Sequence, residues 1–242
     1  KTKTTFTEVF PKTIVNEVKS PDIRMEYSLN PYQGCEHGCS YCFARPTHEF
    51  WGYSAGTDFE RKIMVKNNAP ELLEKFFQKR NYVPKTITLS GNTDCYQPAE
   101  REFEITRKLL KLCLDYRHPV SILTKNALVL RDLDILKPLS EQNLVSVSFS
   151  IPTVNEEIRR KMEPRTSSVK NKLKAIEILT EHKIAVGVMV APVIPGLTSD
   201  ESLKILKTVS EAGAQKFGYV LIRLNDTVQP VFVNWINAHF PE

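Results

Sequence analysis

The chain has 242 residues, 41% hydrophobic and 25% charged, which supports one domain with a substantial core and excludes a disordered or fibrous protein. No apolar run approaches the ~20 residues needed to span a bilayer, and residues 1–10 lack the apolar core of a secretion signal, so a membrane protein is excluded and a cytoplasmic location is expected. The formal net charge of +5 permits a polyanionic partner without requiring one.

In chain order, residues 1–24 are polar, rich in Lys and Thr and without a sustained period; they read as an extended arm wrapping a domain of residues 25–242. Strand-like runs at about 25–29, 85–90, 119–124, 144–150, 184–190 and 217–223 then alternate with helical patterns. Helix starts are marked by Asn68 ahead of Ala69-Pro70-Glu71, by Thr153 ahead of Val154-Asn155-Glu156, and by Ser199 ahead of Leu203 and Leu206, with Gly213 at the end. Six βα steps predict an α/β fold with a parallel sheet, a partial (β/α)6 TIM-type barrel. In the second strand Ile87 and Leu89 oppose Thr86, Thr88 and Ser90; in the fourth, Val145, Val147 and Phe149 oppose Ser146, Ser148 and Ser150. A closed eight-stranded barrel fills its lumen with bulky branched side chains, so a lumen of Ser, Thr, Ala185 and Gly187 predicts an open barrel with a polar interior. A sheet with one face in water would alternate in the same way, but parallel sheets fed by helices seldom expose a face.

The five cysteines are an odd number, and Cys35, Cys39 and Cys42 fall within eight positions, which suits a metal better than disulfides and fits a reducing compartment. Gly34 and Gly38 let the backbone curl so that the thiolates converge, and Pro31 ends the preceding strand. Three thiolates on an iron-sulfur cubane leave one iron without a protein ligand. A zinc site completed by His37 or His48, or a ferredoxin-like carrier with a remote fourth cysteine, uses the same residues. Cys113, on an apolar stripe with Leu109, Leu110 and Tyr116, reads as core.

The spacing Cys-x3-Cys-x2-Cys, with Tyr41 just ahead of the third cysteine, resembles the signature of the radical S-adenosylmethionine superfamily. Asn30-Pro31-Tyr32-Gln33-Gly34-Cys35, Ala44-Arg45-Pro46-Thr47-His48, Ser90-Gly91-Asn92-Thr93-Asp94 and Met162-Glu163-Pro164-Arg165 are similar to phrases of its photolyase-like group related to spore photoproduct lyase. The resemblance implies a [4Fe–4S] cluster on Cys35, Cys39 and Cys42, with S-adenosylmethionine chelating the open iron. Reductive cleavage then gives methionine and a 5′-deoxyadenosyl radical that abstracts hydrogen from a second substrate, with a flavodoxin-type or other reducing protein as electron donor. It also implies cofactor-binding roles. Tyr41 is one such residue, and Ser90, Gly91, Asn92, Thr93 and Asp94 stand where the family often has Gly-Gly-Glu against the methionyl amino group. Lys125, with Ser121 on its side of the sheet, Ser148 and Ser150 resemble contacts to the methionyl carboxylate and ribose, and Arg165 resembles a second grip on the carboxylate. Pro192-Val193-Ile194-Pro195-Gly196 resembles the family's Gly-x-Ile-x-Gly-x-x-Glu element: Ile194 and Gly196 match, while Pro192 and Ser199 depart from it, so an apolar adenine contact is expected.

Cys95, just past the second strand, is a candidate hydrogen donor because its S–H bond is weak; the ordinary reading is a small buried residue. Arg45, His48, Arg61, Lys62, Arg101 and Arg131 are basic groups that could border the barrel mouth, and Trp51, Tyr53 or Tyr96 could stack on a base of DNA or RNA. A solvated surface with scattered aromatics is the reading preferred for them from sequence. Three classes stay open: a radical enzyme acting on nucleic acid, one acting on a peptide or metabolite, and a noncatalytic cluster or zinc protein. The oligomeric state is not legible, and because the chain opens on Lys1 rather than methionine, trimming at one or both ends is expected.

Overall fold

The computed structural model describes residues 3–19, 25–225 and 227–241. In chain order the strands are β1 (Thr5–Val9), β2 (Val15–Glu17), β3 (Tyr27–Leu29), β4 (Tyr32–Gln33), β5 (Lys62–Lys66), β6 (Ile87–Leu89), β7 (Val120–Thr124), β8 (Val145–Ser150), β9 (Ala185–Val193) and β10 (Lys216–Leu221). The helices are α1 (Thr57–Arg61), α2 (Ala69–Phe77), α3 (Glu100–Phe103), α4 (Ile105–Asp115), α5 (Leu133–Glu141), α6 (Glu156–Met162), α7 (Val169–Glu181), α8 (Ser202–Glu211) and α9 (Val228–His239).

The larger sheet has the order β10-β9-β8-β7-β6-β3-β2. From β3 to β10 its six strands run parallel in chain order, and helices lie in every crossover. The fold is thus the expected α/β arrangement, an open, mainly parallel sheet of the partial-barrel kind. β2, from the N-terminal arm, pairs antiparallel with β3 and covers that edge. The expected arm boundary falls at residues 20–24, which lie outside the described residues, as do residues 1 and 2.

One face of the sheet carries the core. Ile87, Leu89, Ile122, Val147, Phe149 and Val188 pack against Leu109 and Leu110 of α4, Leu136 and Leu139 of α5, and Ile176 and Leu179 of α7. Each such burial contributes about 1.5–3 kcal/mol. Cys113 belongs to the same core. The other face is small and polar. Ser121, Ser146 and Ala185 sit side by side, and Ser146 donates to Ser121 at 3.3 Å. The next row holds Leu123, Ser148 and Gly187, and a methyl group on Gly187 would come within 2.9 Å of the Ser148 hydroxyl. Leu123 and Met189 are the exceptions to this polarity, and Met189 lies across Gly218, where a Cβ would be 2.7 Å from its sulfur.

The second sheet, β1-β5-β4, has no counterpart in the sequence reading. β1 runs parallel to β5 and β4 antiparallel to it, so the arm and the segment entering the cysteines share one buried strand containing Ile63, Met64 and Val65. Two helix starts differ from expectation. Asn155, not Thr153, caps α6, accepting from the amides of Glu157 and Ile158. α8 begins at Ser202, after a short 3-10 turn that contains Ser199.

Candidate functional site

Between β4 and β5 the chain makes the cysteine loop, which leaves the sheet through Gly34 and reverses at Gly38, both with positive φ. Only glycine fits either position comfortably. A Cβ on Gly34 would lie 3.0 Å from the Phe59 carbonyl, and one on Gly38 would lie 2.8 Å from Glu60 Oε2. The loop amides are tied locally: Cys35 donates to the Phe59 carbonyl (2.9 Å), Cys42 to that of Cys39 (3.4 Å), and Glu36 to Gln97 Oε1 (2.9 Å). Gln97 in turn donates to the Gly34 carbonyl at 3.1 Å.

Arg45 is the inner brace of this loop. Its side chain is 1% exposed, and its guanidinium donates twice to the Cys39 carbonyl (3.0 and 2.8 Å), to the Ala55 and Gly56 carbonyls (3.0 and 2.8 Å) and to Glu60 Oε1 (2.6 Å). The expectation of Arg45 as a cation at the barrel mouth is therefore corrected. Its planar fork gathers the Cys39, Ala55 and Gly56 carbonyls, of which that of Cys39 also accepts from the Cys42 amide. His48 is likewise buried, against Tyr53 and Phe59. Arg131 is bound to Glu100 and Asp132, and Tyr96 is buried with its hydroxyl on Asp132. Lys62 pairs with Asp58 and lies over the Tyr53 ring. Of the proposed rim, Arg101 and Trp51 stay exposed.

Arg165 braces the loop from outside. Its Nε donates to the Glu36 carbonyl, its Nη2 to Glu60 Oε2 at 3.0 Å, and its amide to the His37 carbonyl at 3.3 Å. These contacts tie it to the loop, and its side chain stays 37% exposed.

Ser90–Asp94 follows β6, and most of its polar groups serve its own turn. Ser90, at positive φ, accepts from the Cys95 amide. Thr93 donates to the Tyr32 carbonyl, and Asn30 Oδ1 accepts the amides of Asn92 and Thr93. Asp94 accepts from the Tyr96 amide, the Thr124 hydroxyl and the Lys125 amide, and lies 3.4 Å from His37. This carboxylate links the ends of two strands and is spent there. The exposed Asn92 side chain and the backbone at Gly91 remain open. Cys95 is fully buried in the main core, the position of an ordinary small apolar residue and not of a donor offered to the lumen.

Lys125, Ser150 and Tyr41 meet around a residue that the sequence reading passed over, Glu163. The Glu163 carboxylate is 0% exposed. It accepts from the Tyr41 hydroxyl, lies 2.9 Å from Lys125 Nζ and 3.1 Å from Lys172 Nζ. Lys125 also donates to the Ser150 hydroxyl at 2.5 Å, and Lys172 to the Ser150 carbonyl at 3.2 Å. Burial alone would raise the Glu163 pKa, but the two ammonium groups and the tyrosine hydroxyl bring it down to about 2. For Lys125, burial opposes the charge and Glu163 outweighs it, holding the ammonium above its ordinary range. The signal for this cluster was present: Glu163 stands beside Arg165 in Met-Glu-Pro-Arg, and Lys172 interrupts an apolar helix stripe.

Ser148 points over Gly187 on the lumen face. Ile194 is buried with Met162 and Phe232, and Tyr41 packs on that cluster. Gly196 has positive φ and open space beside it. A cleft of about 580 Å³ opens there, lined by Ile194, Gly196, Phe232 and Phe240 among others.

The donor set can be tested against the implied groups. Burial pushes the Cys35, Cys39 and Cys42 thiols up, so thiolates there require a metal to stabilise them. Among the described residues no three His, Cys, Asp or Glu side chains converge as ligands of a single ion must. The three cysteines of the loop match the thiolate donors by which iron-sulfur clusters are held. The buried Ser40 hydroxyl, between two of the cysteines, has no protein partner.

Comparison with known proteins bears on the same residues. A model of the radical SAM superfamily matches residues 29–213. An uncharacterised protein of Mycobacterium tuberculosis is 34% identical over 241 residues, covering 98% of this chain and 71% of that protein. One of Methanocaldococcus jannaschii is 29% identical over 231 residues, covering 96% and 82% respectively. Among solved structures, a variant of spore photoproduct lyase with bound AdoMet and dinucleoside spore photoproduct superposes with a TM-score of 0.69 at 17% identity, over 98% of this chain and 66% of that one. Streptococcus suis SuiB bound to S-adenosylmethionine gives 0.59 at 12% identity, over 88% and 48%. These two likenesses show the fold, and the chain spans just under two thirds of the length of the lyase.

Proposed function

The chain belongs to the radical SAM superfamily, whose enzymes use a [4Fe–4S] cluster and S-adenosylmethionine, and from that premise we propose that Cys35, Cys39 and Cys42 hold the cluster and that Lys125, Ser148, Ser150, Tyr41 and the Ile194–Gly196 turn hold S-adenosylmethionine beside it. When bound, the pair supplies a one-electron cleavage of the sulfonium that yields a hydrogen-abstracting 5′-deoxyadenosyl radical. The chain's own part is positioning and exclusion of water. Gly34 and Gly38 shape the loop, and Arg45 and Arg165 hold its carbonyls from two sides. Lys125 offers a fixed ammonium at the carboxyl end of β7, where ligands of open α/β sheets bind. The small residues Ser121, Ser146, Ser148 and Gly187, in two adjacent rows, leave room for the cofactor in the lumen.

The observation that carries this reading is the curled three-cysteine loop set against the buried Lys125–Glu163–Tyr41 cluster. Anaerobically reconstituted protein with a strong reductant, or with a flavodoxin-type donor, is expected to convert S-adenosylmethionine to 5′-deoxyadenosine, and Cys39→Ala to lose the product. Product at the wild-type rate from the variant would refute the assignment.

For the second substrate the reading favoured is a nucleic-acid lesion, supported by the likeness in fold over 98% of this chain to a lyase crystallised with a dinucleoside photoproduct. Binding to oligonucleotides that weakens steeply with salt supports it; salt-independent or absent binding points to a peptide or metabolite instead.

A further inference from the structure

Lys172 occupies a position that helical period assigns to the core. The buried residues of α7 are Val169, Lys172, Ala175, Ile176 and Leu179, a stripe in which every other member is apolar, and the Lys172 side chain is 1% exposed. Buried ion pairs are a poor source of stability, because apolar residues of similar volume commonly serve as well or better. A lysine here therefore calls for a reason beyond holding α7 in place.

The contacts supply one. Lys172 meets Glu163 Oε2 at 3.1 Å, and Glu163 Oε1 meets Lys125 at 2.9 Å and accepts from the Tyr41 hydroxyl. Both lysines also hold Ser150, Lys125 at its hydroxyl and Lys172 at its carbonyl. The segment that carries Glu163 lies along the cysteine loop, with the Ser40 amide on the Met162 carbonyl (3.1 Å) and the Arg165 amide on the His37 carbonyl (3.3 Å). Without Lys172, Glu163 Oε2 would keep only the Thr166 hydroxyl at 3.4 Å, so the carboxylate would be free to turn and Lys125 to follow it.

We propose that Lys172 is a positioning residue. Acting through Glu163, it fixes the Lys125 ammonium and the Tyr41 hydroxyl beside the cysteine loop, and the Lys125–Glu163–Lys172 charges together set the electrostatic potential at the cluster. The inference rests on the functional reading above. Fixed charges of opposite sign at one site make a signed prediction that a purely structural role does not.

The test compares wild type, Lys172→Met, Glu163→Gln and the double variant, each reconstituted anaerobically. The cluster midpoint potential is measured by spectroscopic redox titration, S-adenosylmethionine affinity by calorimetry, and stability by urea unfolding. Removing the cation is expected to lower the potential and removing the anion to raise it, with the double variant between the two. Each single change is expected to weaken S-adenosylmethionine binding about tenfold. The double variant still leaves the Lys125 ammonium without its carboxylate, so it is expected to unfold below the wild-type midpoint but no lower than Glu163→Gln, which strands two cations. Singles that lose stability while all four proteins share one potential and one affinity would overturn the inference alone. A wild type that assembles no S-adenosylmethionine-responsive cubane would overturn it together with the functional reading.

Discussion

Replacing Arg45 by Met probes what holds the cysteine loop in shape. The guanidinium makes five contacts, four to the backbone carbonyls of Cys39, Ala55 and Gly56 and one to Glu60. Hydrogen bonds to a charged group contribute about 1.5–3 kcal/mol each in deletion experiments, but they share one side chain and do not add. Methionine would fill much of the volume while stripping the Ala55 and Gly56 carbonyls of the guanidinium and leaving that of Cys39 with only the Cys42 amide, and Glu60 would retain Arg165 as its partner. Taking the guanidinium from these buried acceptors costs about 1–3 kcal/mol each, about 3–5 kcal/mol in all. Lys in place of Arg could serve one or two of the acceptors, so Arg45→Lys should lose about 2–3 kcal/mol. Urea unfolding of the cluster-free protein, followed by circular dichroism, reads the stability, and iron content after reconstitution reads the loop. The expected result is an ordered series, wild type above Arg45→Lys above Arg45→Met, in both measurements. An Arg45→Met protein within about 1 kcal/mol of wild type that binds a full complement of iron would refute the idea that this residue shapes the loop.

Gly38→Ala should lose about 1–2 kcal/mol and lower iron retention, because alanine is strained at φ +66° and its methyl would press on Glu60 and Arg165; unchanged iron content on a gel-filtered sample would count against it. Lys66 gives a pH prediction. Burial lowers its pKa from 10.5 to about 8, with its ammonium on the Asn30 carbonyl at 2.8 Å. Between those two values the unfolded chain binds the extra proton, so wild-type stability should rise with pH across that window, by at most ~3.5 kcal/mol at ~1.4 kcal/mol per pH unit. Lys66→Met should remove that slope and stabilise the protein at pH 7 by about 1–2 kcal/mol, and a slope that survives the change would exclude Lys66 as its source.

The barrel was legible in the chain because its parallel strands alternate cleanly. Val145, Val147 and Phe149 against Ser146, Ser148 and Ser150 name a core face and a lumen face with no knowledge of partners. The three cysteines were legible for the same reason, since their spacing is local. β5 was missed because Lys62-Ile63-Met64-Val65-Lys66 is a short apolar run, which periodicity cannot tell from a buried piece of helix, and its neighbours β1 and β4 are distant in sequence or only two residues long. Arg45, Arg165 and Asp94 were read by type, as cations and an acid available to ligands. Each also bonds backbone groups and side chains that only the fold brings to it, a set of partners the sequence does not name. Glu163 and Lys172 were obscured by the converse problem. A buried charge is recognisable only when its partners are, and these come from α7, the end of α6, β7 and the cysteine loop.

The most direct test of the central claim, that three thiolates hold a cubane and leave one iron for S-adenosylmethionine, is electron paramagnetic resonance of the anaerobically prepared, reduced protein before and after adding that cofactor. The account predicts a [4Fe–4S]+ signal that changes shape on addition and is absent from Cys39→Ala. A protein that carries zinc instead, or a cubane whose signal ignores S-adenosylmethionine, would contradict it.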